Sequence, residues 1–142
     1  MILADTNVLI GAFRADANSH HSCRKWLHAI INRGETLALS STILAAVVRI
    51  TTNRRAFDPP SSLQDAIGYC DDLLSLPEAI PLSPGPAHWQ IFSHLCQSSL
   101  ATGNLVTDAW IAALAIESNC ELVTLDRDFA KFNGLKFSGP DA

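Results

Sequence analysis

Short apolar segments with the length of β-strands alternate with helical segments along this sequence of 142 residues. The strand candidates are residues 2–5, 36–39, 121–124 and 135–138, with a weaker fifth at 79–82. Between them, apolar side chains recur at helical spacing, as in Leu63, Ala66, Ile67, Cys70, Leu73 and Leu74. Strands separated by helices form βαβ units with right-handed crossovers. The sequence therefore predicts an α/β fold with a mainly parallel sheet covered by helices on both faces.

Two of the predicted strands end close to a carboxylate. The first stops on Asp5, and the strand at 121–124 is followed by Asp126. In open parallel sheets ligands bind beyond the carboxyl ends of the strands, so neighbouring strands would direct both acids into one crevice. Asp108 would reach the same crevice from the start of its helix. Because Mg²⁺ and Mn²⁺ prefer hard oxygen ligands, these three acids predict a divalent cation site.

Each acid also has a structural interpretation, which stays open at this point. Asp108 follows Thr107 at a predicted helix start, where unpaired backbone N–H groups and the helix dipole favour a carboxylate. Asp128 precedes Phe129 and could be a plain helix N-cap. Asp5 and Asp126 could each be a turn residue. The hypothesis of a metal site therefore depends on the acids being brought together.

Four segments of the sequence resemble the motifs of a known family. They are Asp5-Thr6-Asn7-Val8-Leu9, Arg49-Ile50-Thr51-Thr52-Asn53, Val106-Thr107-Asp108-Ala109-Trp110-Ile111-Ala112-Ala113 and Thr124-Leu125-Asp126-Arg127-Asp128-Phe129. In this order they resemble PIN-domain proteins, and most closely the VapC-type ribonuclease toxins of toxin–antitoxin modules. The resemblance extends over nearly the whole chain, and its last two motifs are the most specific.

This resemblance implies a single PIN-like domain over residues 1–142, folded as a three-layer α/β/α sandwich. It also implies Mg²⁺-dependent cleavage of RNA, with Mn²⁺ as a possible substitute, and a homodimer inhibited by a small cognate antitoxin. By the same resemblance Asp5, Asp108 and Asp126 take the places of the catalytic, metal-binding acids. Asp128 is then an auxiliary acid or a helix cap.

One position departs from the family pattern. PIN domains usually have a glutamate on the helix after the second strand, three residues before the arginine that is Arg49 here. Ala46 occupies that place, and no acid occurs anywhere in residues 36–57. The change removes one negative charge and two oxygen ligands. The alternative function is therefore a catalytically weak or silent PIN-fold interaction module.

Arg49, Arg54 and Arg55 form the densest basic cluster of the sequence. A guanidinium group suits phosphate because it can donate two parallel hydrogen bonds. Arg49 lies one helical turn from Ala46 and is predicted to contact a phosphate near the acids. Arg54 and Arg55 can equally be cations that complement the end of a helix.

Composition limits the classes of protein that are possible. The hydrophobic share is 48% and the charged share only 17%, against a usual charged share of about 25%. This predicts that apolar helical surface near residues 6–33 and 42–75 is covered by a second copy or by an antitoxin. The net charge of −4 lacks the basic footprint of a general nucleic-acid binder. Clustered carboxylates contribute to that total, so a nucleic-acid substrate is still possible.

No apolar stretch of membrane-spanning length and no basic leader is evident, which predicts a cytoplasmic protein that does not enter a membrane. The four cysteines form no CxxC pair, and Cys23 and Cys70 fall on apolar stripes, where buried free thiols are expected. A phosphotransferase with Asp5 as nucleophile is disfavoured by Asn7 and by the scarcity of lysines. A dinucleotide-binding domain is disfavoured because no G-x-G-x-x-G follows the first strand.

Overall fold

The computed structural model describes residues 1–141, in which five short strands alternate with helices. The strands are β1 (Ile2–Ala4), β2 (Leu37–Leu39), β3 (Ala79–Pro81), β4 (Glu121–Val123) and β5 (Phe137–Ser138). The α-helices are α1 (Thr6–Phe13), α2 (His20–Arg33), α3 (Ser41–Thr51), α4 (Leu63–Leu74), α5 (His88–Ser99) and α6 (Asn104–Glu117). A 3-10 helix, Arg127–Lys131, follows β4. Every predicted strand is present, including the weak one at 79–82.

The strands form one parallel sheet in the order β3-β2-β1-β4-β5. The chain builds one half outward from β1 to β3 and then returns to build the other half from β4 to β5. The order therefore reverses between β1 and β4, which is where ligands bind in sheets of this kind. These two strands pair in register, with Ala4 opposite Val123, so their carboxyl ends meet. The prediction that they are neighbours is confirmed.

Helices cover both faces of the sheet, as predicted for a three-layer α/β/α fold. The residues of β1 and β2 are buried without exception because apolar side chains project to both faces. The central layer is packed against α6, whose buried side chains are Ala109, Ile111, Ala112, Ala113, Leu114 and Ala115. On the other side a second cluster joins the sheet to α1 and α2, through Ile2, Val8, Cys23, Ile30 and Val123. Cys23 and Cys70 are buried free thiols, as predicted.

Pro84 and Pro86 precede helix α5 but are not part of it. Proline is common in the first turn of a helix, yet the first helical residue is His88. The N–H groups of Gly85 and Ala87 instead donate hydrogen bonds to the two carboxylate oxygens of Glu117, at 2.7 and 2.9 Å. This contact with α6 holds the preceding residues as a loop. Within residues 1–141, the helices are too short or too polar to cross a membrane.

Candidate active site

Asp5 lies at the carboxyl end of β1, where it caps helix α1. It is only 6% exposed. One carboxylate oxygen accepts a hydrogen bond from the Thr6 N–H at 2.7 Å, and the other accepts from the Thr124 hydroxyl at 2.7 Å. Burial raises the pKa of Asp5, and the hydrogen bonds from Thr124 and Thr6 oppose that rise. The carboxylate is thus buried, oriented by two donors and close to the start of a helix.

The Thr124 hydroxyl joins two acids that follow different strands, Asp5 after β1 and Asp126 after β4. It donates to Asp5 and accepts a hydrogen bond from the Asp126 N–H at 3.0 Å. The side chain of Asp126 in turn accepts from the Asp128 N–H at 2.8 Å and caps the 3-10 helix. We call Asp5, Asn7, Thr124 and Asp126 the anchored side of the site. Asn7 belongs to it because its side-chain oxygen accepts from the N–H of the residue after Thr124, at 3.2 Å.

Asp108 projects from the second turn of α6 and is not a helix cap. The helix begins at Asn104 with Gly103 as N-cap, so the predicted position of Asp108 at the helix start is wrong. Within residues 1–141 its side chain accepts no hydrogen bond that would compensate its charge. Desolvation, followed by the negative charges of Asp126 and Asp5, raises the pKa of Asp108 to about 6. Its carboxylate is therefore held close to other acids without a structural partner.

The three acids line one cleft of about 450 Å³ at the strand-order reversal. Ala46 and Arg49, one turn apart on α3, line the same cleft. Ala46 therefore stands where a longer acid would face the carboxylates, and Arg49 is placed where the sequence predicts it. We call Ala46, Arg49 and Asp108 the open side, because α3 and α6 present them without the hydrogen bonds of the opposite wall.

Asp128 is set apart from the other acids. Its side chain is 63% exposed and lies 3.9 Å from the Lys131 ammonium. It is not the N-cap of the 3-10 helix, since that position belongs to Asp126. The interpretation of Asp128 as the N-cap of this helix is therefore wrong, and its role as an auxiliary acid stays a prediction.

The cleft fits a hydrated hard cation better than a fully protein-bound one. Within residues 1–141, no three acidic, histidine or cysteine side chains stand close enough to bind one ion together. Mg²⁺ usually keeps several waters and takes only one or two carboxylates from the protein. Asp5 and Asp108 supply hard oxygens, and a cation would relieve the repulsion that raises the Asp108 pKa. The residues present therefore fit Mg²⁺ or Mn²⁺.

Sequence reasoning missed Thr124 and Asn7 as members of the site. Both are polar residues two positions from an acid, Thr124 before Asp126 and Asn7 after Asp5. A hydroxyl directly after a strand is only a weak signal of a functional site. It indicates that a buried hydroxyl needs a hydrogen-bond partner, but it does not identify that partner. Its partner is 119 positions away along the chain, so the contact follows only from the pairing of β1 with β4.

Comparisons with known proteins agree with this architecture. The PIN domain family model matches residues 2–135. Ribonuclease VapC43 of Mycobacterium tuberculosis is 41% identical over 140 residues, covering 99% of this chain and 95% of that protein. Ribonuclease VapC25 of the same species is 36% identical, with 99% of each chain covered. The crystal structure of VapBC2 from Rickettsia felis bound to a DNA fragment from their promoter superposes with a TM-score of 0.69, at 26% identity over 98% of both chains.

The chain belongs to the PIN domain family. Several relatives that cover nearly the whole chain at 34–41% identity are VapC ribonucleases.

Proposed function

We propose that this chain is a metal-dependent endoribonuclease of the VapC type, acting as the toxin of a toxin–antitoxin module. The observation that supports this most directly is the assembly of Asp5, Asp108 and Asp126 on one cleft. They are brought there by β1, α6 and the turn after β4, at the reversal of strand order. The identity of 41% to a protein named as a ribonuclease supports RNA as the substrate.

In this proposal Asp5 and Asp108 bind Mg²⁺, directly or through water, and Asp126 completes the acidic cluster. The chemistry that a bound ion would supply is activation of a water for attack on the phosphodiester and stabilisation of charge on the leaving oxygen. The Thr124 hydroxyl holds the Asp5 carboxylate in place. Among the residues that line the cleft there is no histidine, so the carboxylates are the groups that can take a proton from the attacking water. No covalent intermediate is formed on the protein.

Arg49 is the cation of the cleft, and we assign it a contact with a substrate phosphate. It is exposed on α3 and lines the cleft. Within residues 1–141, no carboxylate lies within ion-pair distance of its guanidinium group, whereas Arg14 and Arg33 are each paired with an acid. A free guanidinium group beside acids that repel phosphate can offset that repulsion.

A second candidate function follows from Ala46. Because this residue lines the cleft, the family's glutamate would have faced the other acids from this position. Without that glutamate, the cleft has less negative charge with which to bind a cation. The second candidate is therefore a PIN-fold interaction module with weak or silent catalysis.

The decisive experiment compares Mg²⁺- and Mn²⁺-dependent cleavage of structured RNA by the wild-type chain, Asp5→Asn and Ala46→Glu. We expect cleavage by the wild type that depends on the metal and is lost in Asp5→Asn. Cleavage that survives in Asp5→Asn would contradict the assignment of Asp5. Cleavage that appears only in Ala46→Glu would replace the proposed function with the silent module.

We further propose a homodimer that binds a small antitoxin. Three large apolar side chains of α4 are exposed: Leu63 at 63%, Ile67 at 44% and Leu74 at 46%. They lie within the segment 42–75, in which covered apolar surface is predicted. The neighbour from Rickettsia felis is a VapBC pair, which supports a protein partner for this chain.

Sedimentation across micromolar concentrations would test the dimer, and co-purification with the product of an adjacent gene would test the antitoxin. Ile67→Glu should weaken one of the two associations, because it places a charge on the apolar stripe. Asp65→Lys, on the same helix but away from that stripe, is the control. A monomer at every concentration and no bound partner would contradict this part of the proposal.

A further inference from the structure

A second cavity of about 360 Å³ opens beside the acidic cleft, between α3, α5 and α6. We call it the side pocket. Its walls include Ile43, Phe92, Val106 and Trp110, and three threonines line it as well: Thr6, Thr42 and Thr107. It therefore differs in chemistry from the acidic cleft, because apolar and aromatic side chains predominate.

The side pocket and the acidic cleft share part of their walls. Thr6, Ala46, Thr107 and Ile111 line both cavities. Thr6 follows Asp5 and Thr107 precedes Asp108, so the boundary runs directly past two of the acids. A molecule with its phosphate in the acidic cleft can consequently extend an adjoining group into the side pocket.

Trp110 is held in place at the wall of this pocket. The His88 ring packs edge-on against the indole with the ring centres 5.0 Å apart. The Nε2–H of His88 also donates a hydrogen bond to the backbone oxygen of Trp110 at 3.0 Å. His88 is itself buried, so these contacts with Trp110 lie in the interior of the protein. The Phe92 ring lies nearly parallel to the His88 ring, with the ring centres 6.2 Å apart.

Ala46 leaves the passage between the two cavities open. It lines both, and its side chain is a single methyl group. A longer side chain at this position would project into the shared boundary. The departure from the family pattern thus has a geometric consequence as well as an electrostatic one.

We propose that the side pocket binds one nucleobase of the RNA strand, adjacent to the phosphate in the acidic cleft. The walls suit an uncharged planar group, and unpaired RNA bases stack on aromatic side chains and offer edges to hydroxyl groups. Continuity with the acidic cleft selects a nucleobase over an unrelated apolar ligand. This inference rests on the proposed ribonuclease function and adds to it a site that selects unpaired substrate.

The test uses a short single-stranded oligoribonucleotide and a series in which each position in turn is abasic. Binding is measured by fluorescence polarisation in Ca²⁺ instead of Mg²⁺, and gels verify that the strand stays intact. The variants are Ala46→Leu, which fills the shared boundary without adding charge, and Ala45→Leu as the matched control. Ala45 is the exposed neighbour on α3 and lines neither cavity.

In the wild type and in Ala45→Leu, one abasic position should weaken binding on the order of tenfold, as expected for the loss of one stacked base. Ala46→Leu should weaken binding of the intact strand by a similar factor and should be insensitive to the same abasic position. That loss of sensitivity is the result that identifies the pocket.

Two results would overturn the inference. If RNA binds but no abasic position matters, the pocket does not take a base, and the proposed ribonuclease function is unaffected. The same conclusion follows if binding by Ala46→Leu is still weakened by the same abasic position. If sedimentation also shows that Ala46→Leu changes the association of the protein, the pocket is a protein interface. Failure of the wild type to bind any RNA would contradict the proposed function itself, and this inference with it.

Discussion

The two walls of the acidic cleft are built in opposite ways. On the anchored side, Asp5 and Asp126 each accept hydrogen bonds, and the Thr124 hydroxyl connects them. On the open side, Asp108 stands on α6 with a pKa raised to about 6 by burial and by the other acids. The anchored side has its polar groups satisfied by the fold, whereas the open side retains charge that a ligand would have to satisfy. The fold therefore fixes one wall of the site and leaves binding energy available on the other.

The largest effect that would sharpen this contrast is expected for Asp108→Asn. Loss of a direct or water-mediated ligand should lower metal-dependent cleavage by at least about 100-fold, the upper range for changes to groups around a metal. The measurement is single-turnover cleavage of RNA over a range of Mg²⁺ concentrations. Because Asp108 has no structural hydrogen bond, the variant should fold normally, as circular dichroism can verify. Near-normal cleavage would show that the open side does not hold the ion.

Thr124 tests the anchored side. Thr124→Val removes the hydroxyl that orients Asp5, so we expect Mn²⁺ affinity and cleavage each to fall about tenfold, as for other groups that position metal ligands. Thr124→Ser keeps the hydroxyl and should restore both. Affinity is measured by calorimetry, independently of turnover. If the serine variant were as impaired as the valine variant, packing of the methyl group would be the cause and the hydroxyl would have no positioning role.

The sheet was predictable from sequence because its strands are apolar segments of the right length, bounded by helices with recognisable periodicity. The start of α6 was not predictable, because a glycine in the sequence is a weak signal of an N-cap. The positive φ of Gly103, 59°, is evident only in the structure. The late start of α5 depends on Glu117, which is 30 residues from Ala87 and reaches it only in the folded chain. In the same way, the acids could be identified from their motifs, while the hydroxyl that joins two of them could not.

Stability should respond to Asp108→Asn in the direction opposite to activity. Its carboxyl group has a pKa of about 6 in the folded chain against an ordinary value of 3.8. Between these values the folded state holds more protons than the unfolded state, so stability falls as the pH rises. The full difference corresponds to about 3 kcal/mol. Screening by solvent at this partly exposed position reduces the expected gain from Asn to about 1 kcal/mol above pH 6.

Urea denaturation of the wild type and Asp108→Asn in metal-free buffer at pH 7.5 and pH 4 measures this gain. The stabilisation should be present at pH 7.5 and shrink toward zero at pH 4. Adding Mg²⁺ should stabilise the wild type and have less effect on the variant, because only a folded site binds the ion. A variant that is less stable than the wild type at pH 7.5 would mean that Asp108 has a structural partner after all.

The smallest effect is expected for Asp128→Asn, which probes the edge of the anchored side. The Asp128 side chain is exposed, and its ion pair with Lys131 is long, at 3.9 Å. Exposed pairs of this kind contribute less than about 1 kcal/mol. Its charge is the smallest of the contributions that raise the Asp108 pKa. Cleavage should therefore change less than about twofold, and Lys131→Ala should behave alike. A loss as large as that of Asp108→Asn would move Asp128 into the metal site, and the anchored side would then supply a further acid to compensate for Ala46.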